Sequence, residues 1–402
     1  MHAIVQTGSI FCGYVAVARN RRRPARYCPT VIISLEQKLL RILFLIIFIV
    51  TFNLSNGFCV EQSFEDVVPN RTLSFPKDHG KHPETQTEWW YFTGNLDSKD
   101  RQWGFQLTFF RRSMFKDRAF SESAWGVRDL YPAHFAITDV TGSRFFHSEM
   151  ISREGPGLAH AKDDDLDIKV KNWKAYRDGQ NIKLYALEGA YSIEITLKPL
   201  KPIVLHGSNG FSQKGKDPKQ ASYYYSFTRM EASGNITFEG QTYNVSGLVW
   251  MDHEFGSSIL SGDQIGWDWF SIQLDDKTEL MVFSLRNRKG LFEKPFGTLV
   301  TEEGKPVELS EKGIKIIPTG TWKSPKTGTT YPSGWKIIVE GESIELSVSP
   351  LLQDQELSTS SSTQVIYWEG AISVKGTVRG KQVSGRGYVE LVGYAHSMGG
   401  RL

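Results

Sequence analysis

The sequence predicts an all-β protein, either a sandwich or a barrel. From about residue 85 onwards, short segments that alternate apolar and polar residues follow one another, separated by Gly, Asn, Asp and Lys. Such alternation is typical of strands. No long segment after residue 58 has the 3.6-residue period of an amphipathic helix. A third observation, an internal repeat, fits the length of 402 residues, which is enough for two domains.

The first 58 residues differ in composition from the rest of the chain. A basic cluster between Arg19 and Arg41 precedes the apolar run LFLIIFIV at 43–50 and the polar run NLSNG. This order is typical of a signal peptide, and the apolar run is shorter than the roughly twenty residues that span a bilayer. Residues 1–58 are therefore predicted to be a signal peptide or leader of a secreted or periplasmic protein. The alternative is an uncleaved N-terminal segment that associates the protein with a membrane.

The charge of the chain changes when the leader is set aside. The full sequence has 47 basic and 44 acidic residues, whereas the part after residue 58 has 40 basic and 43 acidic residues. A nucleic-acid partner is therefore not expected. Of the three cysteines, only Cys59 lies beyond the leader, so the processed chain cannot form an intrachain disulfide.

The strands can be placed in chain order. The clearest is QWGFQLTFF at 102–110, in which large apolar residues alternate with Gln, Gly and Thr, and this pattern predicts a strand with one face towards solvent. The compositions of 206–220 and 353–363 are typical of loops. Further strands are predicted at 131–140, 182–198, 222–231, 242–255, 278–286, 335–349, 364–375 and 382–394.

Two pairs of similar segments recur in the same order along the chain. EWWYFTGNLDSKDRQWGFQL, which begins at Glu88, aligns without gaps on GWDWFSIQLDDKTELMVFSL, which begins at Gly266. GNITFEGQTYNVSG at 234–247 resembles GTVRGKQVSG at 376–385. Repeats in a common order indicate a duplicated structural unit. The sequence therefore predicts a first domain at 80–258 and a second, shorter domain at 263–402.

Two acidic residues lie in predicted strands and need an explanation. Asp268, in GWDWFSIQL, shares the apolar face of its strand with Phe270. Burying a carboxylate without a partner is costly, so such a residue has either a structural partner or a catalytic use. If Asp268 pairs with a nearby Arg or Lys, it is structural. Glu88 is expected to form an ordinary ion pair with Arg111 or Arg112.

The segment GLVWMDHEFGSS at 247–258 carries three ionisable residues in succession. Groups of this kind on an apolar strand are candidates for acid–base chemistry. The alternative is that the carboxylates face solvent near a strand end and that the histidine belongs to the core. No familiar metal-ligand spacing, serine-nucleophile elbow or cysteine nucleophile is present, so no metal is predicted. A strand would place His253 and Phe255 on one face and Trp250, Asp252 and Glu254 on the other.

These segments resemble a known family. TEWWYFTGNL, GLVWMDHEFG, GWDWFSIQL, YWEGAISVKG and GYVELVGY are similar to motifs of the carotenoid 1,2-hydratase family, also called AttH-like, over about residues 80–402. The resemblance implies a tandem pair of lipocalin-like β-barrel domains in an exported bacterial protein. It also implies chemistry without a cofactor, since the hydratases add water across a terminal double bond of a carotenoid.

The residues and the resemblance together predict a site. Protonation of an alkene needs a carboxyl group that keeps its proton near neutral pH, and burial among aromatic rings raises the carboxyl pKa. Asp268 is therefore predicted to be the proton donor, and His253, with Asp252 or Glu254, to orient or deprotonate the water. The predicted ligand is a small hydrophobic molecule, such as an isoprenoid, carotenoid or lipid. The residues predicted to bind it are Trp267, Trp269, Trp250, Phe255 and Trp90.

The sequence departs from the hydratase pattern in two places. Hydratases carry tryptophan two positions after the histidine and a tyrosine with an acid on the next strand. This chain has Phe255 at the first place and ELMVF at 279–283 on the next strand. These departures concern the chemistry and not the fold, and a non-catalytic carrier of lipid or another hydrophobic ligand is the alternative function.

Overall fold

The computed structural model describes most of the chain after the predicted leader, and the leader itself lies outside the described residues. Among the described residues, the helical elements are short 3-10 helices at Lys77–His79, Glu311–Gly313 and Glu340–Glu342. No helix in this part is long and apolar enough to cross a membrane. The described ranges are 64–114, 126–257, 260–293 and 295–398.

The first half of the described chain forms one antiparallel sheet of thirteen strands. Its strands are β1 (Thr87–Ser98), β2 (Arg101–Ser113), β3 (Asp129–Asp139), β4 (Arg144–Arg153), β5 (Ala159–Ala161), β6 (Asp167–Val170), β7 (Trp173–Asp178), β8 (Asn181–Glu188), β9 (Tyr191–Pro199), β10 (Val204–Leu205), β11 (Phe211–Gln213), β12 (Ala221–Phe238) and β13 (Gln241–Gly256). The order is β4-β3-β2-β1-β13-β12-β9-β8-β7-β6-β5, with β10 and β11 paired to β12. Because β3 and β4 contact β6, the sheet forms a nearly closed barrel.

The second half forms a ten-stranded sheet and a separate hairpin. Its strands are β14 (Gln264–Leu274), β15 (Glu279–Asn287), β16 (Phe296–Val300), β17 (Pro306–Leu309), β18 (Ile314–Pro318), β19 (Thr321–Lys323), β20 (Thr330–Pro332), β21 (Trp335–Val339), β22 (Ile344–Pro350), β23 (Glu356–Thr359), β24 (Val365–Val378) and β25 (Lys381–Val392). The sheet order is β17-β16-β15-β14-β25-β24-β22-β21-β18, with β23 paired to β24, and β19 pairs with β20. The predicted all-β class is confirmed.

The two sheets repeat one local topology. In the first sheet β1 lies between β2 and the last strand, β13, and in the second sheet β14 lies between β15 and the last strand, β25. The gap-free sequence repeat aligns β1 with β14. By residue contacts, however, the two sheets belong to a single compact unit. The division into domains at 80–258 and 263–402 therefore stays a prediction.

The buried apolar residues of the described ranges form three clusters. One is enclosed by the first sheet, one packs against the second sheet, and the third lies between the two sheets. Trp90 and Phe92 of β1 belong to the core of the first barrel, and Phe270 and Ile272 of β14 belong to the core of the second sheet. Alternate residues of the same two strands, such as Tyr91, pack between the sheets. These central strands are thus buried on both faces, which explains their nearly continuous aromatic and aliphatic sequence.

The polar face of β2 differs from the prediction. Strand β2 was predicted to be wet on one face, but Gln106 and Thr108 on that face are both 1% exposed. The second sheet covers them. Gly104 allows this close approach, because a Cβ atom there would lie 2.8 Å from Ala371 Cβ and 2.9 Å from the Tyr388 hydroxyl oxygen. The alternation of apolar and polar residues shows which side chains share one face of a strand, but it does not show what covers that face.

The other predicted strands are present, with two changes in detail. The segments 182–198 and 335–349 are hairpins, β8–β9 and β21–β22, rather than single strands. The two segments predicted as loops each contain a short strand, β11 in 206–220 and β23 in 353–363. Strand β11 pairs with β12, and strand β23 pairs with β24.

Candidate active site

A cavity of about 330 Å³ lies between the two sheets. Most of its wall is apolar, and a concave, mainly apolar site with a few polar groups is the usual form of a small-molecule site. Strands β1 and β2 contribute Thr87, Trp89, Tyr91, Gln106, Thr108, Phe110 and Arg112 to the wall. The second sheet and its flanking segments contribute Trp267, Trp269, Phe283, Tyr367, Glu390, Val392 and Met398.

Two acidic residues of the cavity occupy equivalent places in the two sheets. Asp252 of β13 lies opposite Tyr91 of β1, and Glu390 of β25 lies opposite Trp269 of β14. Tyr91 and Trp269 are aligned with each other by the sequence repeat. Both carboxyl groups line the cavity. The repeated strand topology therefore places two acids at one ligand-sized space.

Three hydrogen-bond donors hold the carboxyl group of Asp252. Trp250 Nε1 donates to Oδ1 at 2.6 Å, the Ser226 hydroxyl donates to the same oxygen, and the Tyr224 hydroxyl donates to Oδ2 at 2.9 Å. Tyr224 in turn accepts from Trp269 Nε1 at 3.1 Å. Burial raises the pKa of Asp252 to about 7, although these donors lower it.

Glu390 has fewer partners and is partly accessible from the cavity. Trp267 Nε1 donates to its Oε2 at 2.6 Å. Burial raises the pKa of Glu390 to about 7, and the neighbouring charges of Asp252 and Glu254 raise it further, against the effect of Trp267. No cation of the described residues lies within ion-pair distance of Glu390. A carboxyl group in this state holds a proton for part of the time at neutral pH.

A third acid, Glu369, lies behind the cavity wall. It pairs across the sheet with Glu390, and its side chain is fully buried. The Tyr91 hydroxyl donates to Glu369 Oε1, whereas Oε2 has no hydrogen-bond partner. Burial and the charge of Glu390 raise the pKa of Glu369 well above its ordinary value, against the effect of the hydrogen bond from Tyr91.

Glu254, the third acid that lines the cavity, forms an ion pair. Lys214 Nζ lies 2.8 Å from Glu254 Oε1, and the Ser222 hydroxyl donates to the same oxygen. The ammonium group of Lys214 also lies about 5 Å from the ring centroids of three aromatic residues, a distance at which cation–π attraction operates. This pair is suited to binding and orientation more than to proton transfer.

His253 faces the interior of the first barrel and not the cavity. Its Nε2 lies 2.8 Å from Glu88 Oε1, and its Nδ1 lies 3.0 Å from the Tyr225 hydroxyl oxygen. Burial lowers the pKa of His253 despite the charge of Glu88. The ion pair predicted for Glu88 is formed by Arg111, whose Nε lies 2.9 Å from Glu88 Oε2. His253 is thus a hydrogen-bonded core residue, which is the alternative that the sequence left open.

The group His82, Glu88 and His253 is the metal-ligand cluster found within the described part of the chain, with donor atoms within 4.8 Å of one another. Both histidines, however, direct a nitrogen to the same oxygen of Glu88, at 2.7 and 2.8 Å. Arg111 binds the other oxygen. Convergence on one carboxylate oxygen is hydrogen bonding, and a metal ion there would lie beside a guanidinium group. The cluster is therefore better explained as a buried ion-pair network.

Asp268 is also placed outside the cavity. Its side chain is fully buried, as expected, but Arg286 Nε lies 3.1 Å from Oδ1 and the Tyr394 hydroxyl lies 3.0 Å from both oxygens. Burial raises its pKa to about 6, against the lowering by Arg286. Because alternate residues of a strand face opposite ways, Trp267 and Trp269 line the cavity while Asp268 faces the second core. Asp268 is therefore not on the face of β14 that borders the cavity, and its pairing with arginine indicates a structural role.

The three remaining predicted aromatic residues do not line the cavity. Trp250 is buried between the sheets, where it orients Asp252. Trp90 is fully buried in the first barrel, with its ring 4.7 Å from that of His253. Phe255 stacks on His82 at 3.4 Å in the same barrel. Trp90 and Phe255 therefore do not contact the cavity.

Sequence reasoning missed Glu390, Glu369 and the tyrosines beside them. A signal was available, because the similarity of 234–247 to 376–385, when continued past its end, aligns Asp252 with Glu390. Glu369 lies in YWEG with apolar neighbours two positions away, which is the same argument that drew attention to Asp268.

The fold and the site define a class: a two-sheet β-barrel protein with an apolar cavity and protonatable acids between its sheets. The chain belongs to the AttH-like family, whose model matches residues 66–394, so the family predicted from the motifs is confirmed. A solved structure assigned to AttH from Nitrosomonas europaea is 32% identical, with a TM-score of 0.73, and the match covers 82% of this chain and 99% of that chain.

Two further similarities involve hydratases. Kievitone hydratase from Fusarium solani subsp. phaseoli is 25% identical over 244 residues, which is 58% of this chain and 67% of that protein. The crystal structure of kievitone hydratase from Nectria haematococca has a TM-score of 0.61 at 16% identity and covers 83% of this chain and 99% of that chain. This second similarity shows a common fold.

Proposed function

We propose that the protein catalyses the cofactor-free addition of water to a carbon–carbon double bond of a hydrophobic, isoprenoid or lipid-like substrate held between the sheets. The observation that carries the proposal is Glu390, a carboxyl group with a pKa of about 7 that opens into a mainly apolar cavity without a cationic partner among the described residues. The similarity to kievitone hydratase supports the same class of reaction.

Glu390 is the proton donor in this proposal. Its proton passes to one alkene carbon, and the other carbon becomes cationic. The indole rings of Trp267 and Trp269 line the same wall, and a desolvated cation–π contact stabilises a cation by about 2 kcal/mol. Trp267 Nε1 also holds Glu390 Oε2, which leaves Oε1 free to carry the proton towards the substrate.

Asp252 is the general base. Its oxygens accept three hydrogen bonds, an arrangement that favours the ionised form. As a water oxygen bonds to the cationic carbon, a water proton passes to Asp252, directly or through the Tyr224 hydroxyl. The product is an alcohol, and the return of one proton from Asp252 to Glu390 restores the starting state.

Hydration can be tested with isotopically heavy water. The purified protein is incubated with a panel of carotenoids, other isoprenoids and unsaturated lipids in water enriched in heavy oxygen, and the products are analysed by mass spectrometry. The expected product contains one heavy oxygen atom. Loss of a general acid or base typically costs about 10²–10⁴-fold in rate, so Glu390→Gln and Asp252→Asn should each lower kcat by that order.

The matched control is Glu194→Gln, since Glu194 is an exposed glutamate of β9. It should retain the wild-type rate. Undiminished turnover in Glu390→Gln would contradict the assignment of the acid, and a complete panel without product would contradict hydration of these substrate classes.

A carrier of hydrophobic ligands is the second candidate function. It is favoured by the full set of donors to Asp252, because a carboxylate that is hydrogen-bonded in this way is also a stable structural element. A carrier would bind the ligands of the panel with unchanged affinity in Asp252→Asn and Glu390→Gln, and no heavy oxygen would enter them.

Export belongs to the proposal as well. The basic cluster, short apolar run and polar run within residues 1–58 support a secreted or periplasmic location. Mass determination of the N-terminus after expression with the full leader tests this. A mature chain that begins near residue 58 is expected, whereas an intact leader in the membrane fraction would indicate an anchor.

A further inference from the structure

Among the described residues, the wall of the cavity contains one cation whose charge no carboxylate balances. Arg111 and Arg112 are neighbours on β2, but their environments differ. Arg111 is fully buried and pairs with Glu88 and Asp129. Arg112 lies on the opposite face, lines the cavity and is half-buried.

The partner of Arg112 among the described residues is a neutral one. Its Nη1 donates to Thr87 Oγ1, and no described carboxylate lies within ion-pair distance. Burial lowers the pKa of Arg112, and no acid in the described ranges opposes this effect. A guanidinium group removed from water without a counter-charge is costly, and Arg is the side chain that binds planar oxyanions best.

Arg111 also borders the cavity but is paired as described above, and Lys214, the third cation of the described cavity wall, is paired as well. Its ammonium group is paired with Glu254 at 2.8 Å. Anion recognition in the cavity is therefore assigned to Arg112, whose guanidinium is still available for a charge-assisted, bidentate hydrogen bond.

The position of Arg112 fixes where an anionic group would lie relative to the acids. Arg112 is level with Thr87 of β1, whereas Asp252 is level with Tyr91. Four residues of an antiparallel strand extend over about 13 Å. Arg112 is level with Leu130 of β3, and because both side chains line the cavity and are partly exposed, we place Arg112 at the rim.

We propose that Arg112 binds an oxyanion head group, a carboxylate or a phosphate monoester, at the cavity rim, so that the ligand is an amphiphile whose apolar chain extends towards Asp252 and Glu390. The inference rests on the proposed function for the identity of the cavity as the ligand site. It adds a chemical requirement at the end of the ligand that does not react. The separation of about 13 Å suits an acidic head and a double bond at opposite ends of an isoprenoid chain.

The test uses three ligands that share one chain: farnesoic acid, farnesyl phosphate and farnesol. Binding is measured at pH 8 by quenching of tryptophan fluorescence, since Trp89, Trp267 and Trp269 line the cavity. Wild-type protein is expected to bind the acid or the phosphate at least about tenfold more tightly than the alcohol, as one charge-assisted contact allows. Whichever of the two anions binds with the lower Kd identifies the preferred head group.

Three variants separate recognition from damage to the fold. Arg112→Gln should lose the preference for the anion while its farnesol affinity stays unchanged, and Arg112→Lys should keep part of the preference. The control is Arg101→Gln, because Arg101 pairs with Asp139 and does not line the cavity. It should retain the full preference.

The outcomes distinguish this inference from the proposed function. Equal affinities for acid, phosphate and alcohol in the wild type, or an unchanged preference in Arg112→Gln, overturn the inference and leave hydration standing. A preserved preference without heavy-oxygen incorporation contradicts hydration alone. Failure of all three ligands to bind overturns the inference, whereas hydration is contradicted only if the complete panel also gives no product.

Discussion

Burial raises the pKa of two acidic residues of this protein, Asp268 and Glu390, but only one of the two borders the cavity. Burial raises the pKa of Asp268 to about 6 and that of Glu390 to about 7. Asp268 is bound by Arg286 and faces a packed core, whereas Glu390 faces a cavity. A perturbed carboxyl group indicates an active site when a ligand can reach it, and burial alone does not decide the matter.

At the residue scale, the two cavity acids predict a pH profile. Glu390 must be protonated to act as acid, so kcat/KM should fall as the pH rises above about 7, its pKa. Asp252 must be ionised to act as base, so kcat/KM should also fall as the pH drops below about 7. Rates measured from about pH 5 to about pH 9 should therefore give a narrow bell centred near neutrality. A profile that is flat over this range would contradict both roles.

At the element scale, strand β14 separates binding from folding by its two faces. Trp267 and Trp269 line the cavity, while Asp268 between them joins the second core. The alternation that places them is a property of the extended backbone, so it could be read from the sequence. The same reasoning correctly divided His253 from Asp252 and Glu254 on β13.

Asp268→Asn should lower stability without changing the chemistry. The substitution leaves the buried guanidinium of Arg286 without its counter-charge, and an unpaired buried charge costs about 3–5 kcal/mol. The free energy of unfolding, measured in urea, should fall by that order, while folded protein keeps its kcat. The exposed Asp263, just before β14, provides the control Asp263→Asn, which should change neither quantity. Loss of kcat in folded Asp268→Asn would restore Asp268 as a catalytic residue.

The sequence predicted local features better than long-range ones. The burial of Asp268 followed from its neighbours in the strand, but its partner Tyr394 is 126 residues away in the sequence. Likewise, the alternation in β2 did not indicate that the second sheet covers Gln106. Local backbone geometry determines which side chains share a face, whereas contacts between sheets depend on how distant segments pack. The cavity is made of such contacts, and it therefore could not be predicted in full.

At the scale of the whole molecule, the two sheets meet through buried polar contacts as well as apolar ones. The Tyr91 hydroxyl donates to Glu369, Asn95 Nδ2 donates to the Gly387 carbonyl at 3.0 Å, and Thr138 Oγ1 donates to Gln355 Oε1 at 2.8 Å. Buried hydrogen bonds of this kind favour one relative arrangement of the packed layers, because any shift would leave polar groups unpaired.

Glu369 makes this interface sensitive to pH. Its pKa is raised well above 4.5, so above about pH 4.5 the folded state retains a proton that the unfolded chain has lost. Stability therefore decreases as the pH rises from that value towards the folded pKa. Glu369→Gln removes this contribution, so melting temperatures of the variant and the wild type should be similar near pH 5, and the variant should be the more stable near pH 9. The exposed control Glu194→Gln should follow the wild type. Parallel curves for Glu369→Gln and the wild type would contradict the assignment.

The equivalence of Asp252 and Glu390 has a consequence for how this cavity can diversify. A chamber built by two identical subunits would carry each side chain twice, and every replacement would alter both walls together. Here one polypeptide encodes the two walls separately. One wall can therefore specialise in giving up a hydrogen ion and the other in accepting it, and each can be tuned for a new compound without disturbing its counterpart.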